Sequence, residues 1–70
     1  MRKFPSTKAR EVLKALLRRG WKVKRQEGSH KILAKEGYND FPLAYHESEE
    51  ISPVILKKIA KYTDLQPEDL

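Results

Sequence analysis

The chain reads as a single α+β domain of order α-β-β-β-α, a three-stranded antiparallel sheet with two helices packed on one of its faces. Three patterns predict this. Apolar residues recur at helical spacing near each end, at Ala9, Val12, Leu13, Leu16 and Leu17 and again at Ile55, Leu56 and Ile59. Between the two stripes, short stretches alternate apolar with polar residues, as half-buried strands do, and turn-forming residues separate them. Seventy residues suffice for one core only, so residues 1–70 form one domain. A domain of this size buries only about 60% of its unfolded surface, which favours a partner protein or a homo-oligomer as a source of further buried area.

The first helix enters after Phe4-Pro5, with Ser6 or Thr7 placed to cap its free amides. Arg18 and Arg19 suit the negative end of the helix dipole, and Gly20 offers a left-handed stop, so the helix is expected to end at Arg19. Trp21-Lys22-Val23-Lys24 alternates, and the strand is expected to put Trp21 and Val23 under the helix with Lys22, Lys24 and Gln26 on the open face. Glu27-Gly28-Ser29 is a tight turn, followed by a second strand over His30–Lys35. Period two sets His30, Ile32 and Ala34 on one side and Lys31, Leu33 and Lys35 on the other. Ile32 is the expected core residue, which would turn His30 inward with it, so His30 must lie at the strand end beyond the helices' cover, or a bulge must re-aim it.

Glu36–Asp40 is turn chemistry, and Phe41–Tyr45 is a third strand in which Pro42 points to an edge position, since proline cannot donate to a ladder. His46–Glu50 reads as a polar loop. Ser52 and Pro53 then open the second helix, one as cap and one at the first turn where its missing amide is harmless. Ile55, Leu56, Ile59 and Tyr62 are expected inward. Thr63–Pro67 ends the helix, and Pro67–Leu70 makes a last turn that brings Leu65 or Leu70 to the core.

Composition narrows the function classes. The chain has no cysteine, which excludes disulfides, thiolate metal sites and a thiol nucleophile. No hydrophobic signal core opens it and no apolar run is long enough to cross a bilayer, so a soluble cytoplasmic protein without a membrane partner is expected. The net charge of +5 is unevenly spread. Residues 1–35 carry twelve Lys and Arg against Glu11 and Glu27, whereas residues 36–70 carry three lysines against eight acids. A basic first half suits a polyanion such as a nucleic-acid backbone, although lysine-rich faces also serve solubility alone.

The densest chemistry lies in Arg25-Gln26-Glu27-Gly28-Ser29-His30. Histidine can give or take a proton near neutrality, glycine lets the backbone approach a ligand, and serine adds a short donor. Chemistry on a phosphate, which such a stretch suggests, needs a group that moves protons and a cation that steadies the developing charge. His30 can transfer the proton, and Lys22, Lys24, Arg25, Gln26, Gly28, Ser29 and Lys31 stand close in sequence to hold a phosphate backbone. His46 is a candidate second acid or base, set among Glu47, Glu49 and Glu50. Those acids read as a solvated loop rather than as metal ligands, so neither metal nor cofactor is expected.

Gly20-Trp21 after a leucine-striped helix, then Arg25-Gln26-Glu27-Gly28-Ser29-His30, then Glu50-Ile51-Ser52-Pro53 opening a helix with Leu56 and Ile59, is similar to the HicA toxins over nearly the whole chain. The resemblance implies a fold like that of double-stranded-RNA-binding domains, metal-independent mRNA cleavage, an essential histidine at His30 and neutralisation by a HicB antitoxin. Two departures stand out. The family's second histidine usually follows the third-strand proline by two residues, whereas His46 follows Pro42 by four, and Lys31 stands where many members carry a histidine next to that of the Gly-Ser-His motif. A non-catalytic RNA-binding module and a protein-interaction domain of the same fold are the alternatives from other classes.

Overall fold

The computed structural model describes residues 3–46 and 48–70; Glu47 of the acidic loop, with Met1 and Arg2, lies outside them. In order, the elements are β1 (Thr7–Lys8), α1 (Ala9–Arg18), β2 (Lys22–Glu27), β3 (His30–Ala34), β4 (Phe41–Ala44), β5 (Glu50–Ile51), α2 (Pro53–Thr63) and a short 3-10 turn (Pro67–Asp69). Strands β2, β3 and β4 form an antiparallel sheet in that spatial order, with β3 central. Leu33 and Leu43 from the sheet join Val12, Ala15 and Leu16 of α1 and Leu56 and Ile59 of α2 in one core cluster, which places both helices on the same face. The expected α-β-β-β-α order holds.

Helix α1 stops where its glycine predicts, one residue earlier than counted. Gly20 takes φ +98°, its amide donates to Leu17, and the Trp21 amide reaches back to Leu16 at 3.1 Å. These paired bonds satisfy the last carbonyls and carry Trp21 down beside Leu16, where its side chain is buried. The buried face of α1 is Ala9, Val12, Ala15 and Leu16, with Leu17 turned outward, so two alanines let the helix approach the sheet closely. No side chain caps the start of α1. The segment before it pairs with β5, Thr7 against Ile51 and Lys8 against Glu50, and the Ala9 amide donates to the Glu49 carbonyl at 2.9 Å. That pairing supplies the partner a Ser6 or Thr7 cap was expected to supply, and it gives the polar loop before α2 a strand.

Helix α2 begins as read: Ser52 Oγ accepts from the Ile55 amide and Pro53 occupies the first turn. Its inward stripe is Leu56, Ile59 and Thr63 rather than Ile55 and Tyr62, both of which are exposed. Thr63 is buried without cost to its hydroxyl, which donates to the Ile59 carbonyl at 2.8 Å and accepts from the Leu65 amide at 3.3 Å. The closing turn buries Leu65 and is tied to α1 through Arg19 and Asp69 at 2.8 Å.

Candidate functional site

Strand parity decides which side chains share a face, and two local features set it. The first is the hairpin between β2 and β3. Glu27 pairs with His30 across a two-residue loop in which Gly28 has φ +59° and Ser29 does not take a positive φ. A positive φ at the first loop position only is the pattern of a type II′ turn, whose twist matches the flanking strands. The second is a bulge. Val23 pairs with Leu33 and Arg25 with Ile32, so Lys24 is an extra residue and alternation along β2 reverses there.

The consequence is a correction to the expected open face. Counted forward from Trp21, Lys22, Lys24 and Gln26 would share it; counted back from the turn, Glu27 and Arg25 do. The bulge reconciles the two. Trp21 and Val23 stay on the helix side, where Trp21 is buried but Val23, expected under the helix, is 43% exposed, while Lys22, Arg25 and Glu27 lie with His30, Ile32 and Ala34 on the uncovered side. Leu33, fully buried, is the core residue of β3. Ile32 lies on the uncovered face between its cross-strand partners Arg25 and Pro42, only 7% exposed and outside the main cluster. The conflict between His30 and a core Ile32 therefore dissolves, because Ile32 does not face the helices.

His30 is exposed, the first residue of the central strand. Glu27 stands directly across from it on β2 and the small Ala44 across from it on β4. Among the described residues no hydrogen bond engages its ring. Arg25 is one pair further along on the same face, a diagonal of about 7–8 Å between backbones that a long side chain spans. Its Nε donates to the Glu27 carboxylate, and that bond with the carboxylate's charge pushes an already basic guanidinium further up. Lys22 shares the face opposite Ala34, about 13 Å along the strand from His30 at ordinary strand rise.

The remaining candidates lie elsewhere. Lys24, at the bulge, is bound to Asp40 at 2.8 Å. Gln26 and Lys31 are paired on the opposite face from His30, with Lys31 Nζ 3.1 Å from Gln26 Oε1 and 4.9 Å from the centre of the Tyr45 ring. Gly28 and Ser29 form the turn itself; the Ser29 carbonyl accepts from the Tyr45 amide at 2.8 Å. His46 lines a groove with Leu43, Ile55 and Ile59, a groove that also takes in Ala44, the cross-strand partner of His30. Trp21 is a core residue set edge-on to Tyr38, with ring centres 5.2 Å apart, and is not available to stack on a base.

Pro42 sits at the edge as expected, and register explains why it is harmless. The Tyr45 amide donates across to Ser29, so Leu43 and Phe41 also turn their polar groups toward β3, while Pro42 turns its missing donor outward. Glu27 is the residue that the alternation read from Trp21 passed over. The signal that could have found it is Gly28 at the head of a two-residue loop, which fixes Glu27 opposite His30.

Among the described residues, no group of three His, Asp or Glu side chains stands close enough to hold a metal ion, and no helix is long and apolar enough to cross a membrane. Compared with known proteins, residues 9–65 match the family model described as HicA toxin of bacterial toxin-antitoxin systems. No curated protein and no solved structure gives a match. With the match spanning both helices and all three strands of the sheet, the chain belongs to the HicA toxin family.

Proposed function

We propose that this toxin is an endoribonuclease that cleaves mRNA without a metal, with His30 as its general acid/base. One observation carries the reading: an exposed imidazole opens the central strand on the uncovered face of the sheet, with a small residue on one flank and a guanidinium within reach on the other. A single-stranded RNA laid across this rim brings a 2′-hydroxyl to the ring. The ring nitrogen takes its proton as the 2′ oxygen attacks phosphorus, the bond to the 5′ oxygen breaks, and the departing oxygen is protonated. Products are a 2′,3′-cyclic phosphate and a 5′-hydroxyl. The Gly28-Ser29 turn lets a backbone phosphate approach closely, and Lys22, Lys24, Gln26 and Lys31 add charge and donors on the two sides of the hairpin.

Family membership supports an RNA target and an antitoxin partner. We take the partner to be a HicB-like protein that neutralises the toxin in the cytoplasm. The chemistry is tested with RNA carrying a single 2′-deoxy nucleotide at a mapped cleavage position. Cleavage there is abolished while neighbouring sites are cut as before, and excess chelator leaves the rate unchanged. Cleavage at the deoxy position, or loss of activity in chelator that added divalent ion restores, overturns the mechanism.

A further inference from the structure

We propose that Arg25 is the cation that steadies the phosphorane, and that Glu27 is a positioning residue that holds the guanidinium on the His30 face. The proposal rests on the reading of His30 given above. It begins with the bulge: without the extra residue at Lys24, the alternation that buries Trp21 would turn Arg25 away from His30. Lys24 is occupied by Asp40, and Lys31 lies over Tyr45 on the other face. Among the described residues, Arg25 is left as the cation nearest His30 on the uncovered side.

Glu27 is the unexpected member, since a carboxylate beside a phosphate-binding histidine repels the substrate. It is also His30's direct cross-strand partner, so its charge lies close to the ring unless another group engages it. Its carboxylate is spent on Arg25: it accepts from Nε and leaves both terminal guanidinium nitrogens, which make no hydrogen bond among the described residues, as donors for a ligand. That is the fork geometry with which arginine takes two phosphate oxygens at once. Arg25 also stands opposite Ile32, whose near-complete burial fits an aliphatic stem lying over it. A guanidinium held at its head by Glu27 gives up less freedom when the phosphorane forms, and this stabilises the transition state more than the bound ground state.

The test is a kinetic cycle on RNA cleavage with Arg25→Ala, Glu27→Gln and the double variant, beside wild type and His30→Ala. All the changes are at exposed positions, and thermal melting confirms that each variant folds. Arg25→Ala is expected to lower kcat about a hundredfold, the scale of losing one preorganised donor from an anionic transition state. Glu27→Gln lowers kcat about tenfold, roughly 1.4 kcal/mol, with KM unchanged or smaller. In the Arg25→Ala background, Glu27→Gln has no further effect on kcat.

A Glu27 that merely repels RNA would give a smaller KM with kcat unchanged, and that result overturns the proposal. So does an equal loss of kcat with and without Arg25, which would mean Glu27 acts independently. If His30→Ala cleaves as fast as wild type, the histidine reading itself falls, and this proposal with it. If His30→Ala is inactive while Glu27→Gln is unaffected, only the present proposal falls.

Discussion

Replacing Gly28 by alanine isolates the backbone feature that sets His30 opposite Glu27. At φ +59°, a side chain strains the backbone, and a left-handed conformation costs an L-residue about 1–2 kcal/mol. Nothing lies within 4 Å of where the new Cβ would sit, so no clash adds to this. Alanine also stiffens the unfolded chain, an offset of about 0.4–1 kcal/mol, which leaves a net loss near 1 kcal/mol. For a domain this small, that lowers Tm by about 4–8 °C. At ordinary per-residue stability the whole domain holds about 4–10 kcal/mol, so it stays folded at 25 °C and any loss of cleavage reports a change at the turn rather than unfolding. Gly28→Asn is the control, since asparagine tolerates positive φ, and its Tm falls between those of glycine and alanine. Melting by circular dichroism checks the order. An unchanged Tm for Gly28→Ala, or a lower one for asparagine than for alanine, refutes the turn as described.

Leu33→Ala removes a fully buried side chain from the central strand and costs about 2–5 kcal/mol, enough to leave part of the population unfolded at 37 °C in a urea titration. The Tyr38 hydroxyl donates to Asp64 at 3.0 Å, and that bond with the carboxylate's charge raises the phenol above the ordinary tyrosine value of 10.0. A folded pKa above the unfolded one gives stability that is complete below the ordinary value and is lost as pH climbs through the raised one. Asp64→Asn keeps the left-handed residue that ends α2, so phenolate absorbance should develop at lower pH than in wild type and stability should decline less across the alkaline range. Asp69→Ala frees Arg19 and loosens the closing turn, lowering stability by about 1 kcal/mol in the same urea titration.

Much of this architecture is legible in the residues because each signal is local. Gly20 stops α1 through its own conformation, Ser52-Pro53 starts α2 through one cap and one absent donor, and Pro42 marks an edge because it cannot donate. Features that depend on a second segment are not. The pairing of Thr7–Lys8 with Glu50–Ile51 joins stretches more than forty residues apart, and neither has a pattern of its own long enough to announce a strand. Thr63 hides its polarity by bonding within its own turn, so a scan for apolar residues passes over it. At the site, His30, Gly28 and Ser29 stand out by type and spacing. The faces of Gln26 and Arg25 do not, because one extra residue at Lys24 reverses an alternation that looks regular on the page.

In the proposed reaction one exposed imidazole at the start of β3 moves the proton in RNA cleavage. Single-turnover cleavage of a defined mRNA by purified His30→Ala tests it most directly, with circular dichroism and Tm matching wild type, as expected for a side chain outside the core. No product is expected within the time wild type needs for complete cleavage. Cleavage by the folded variant at the wild-type rate would contradict it.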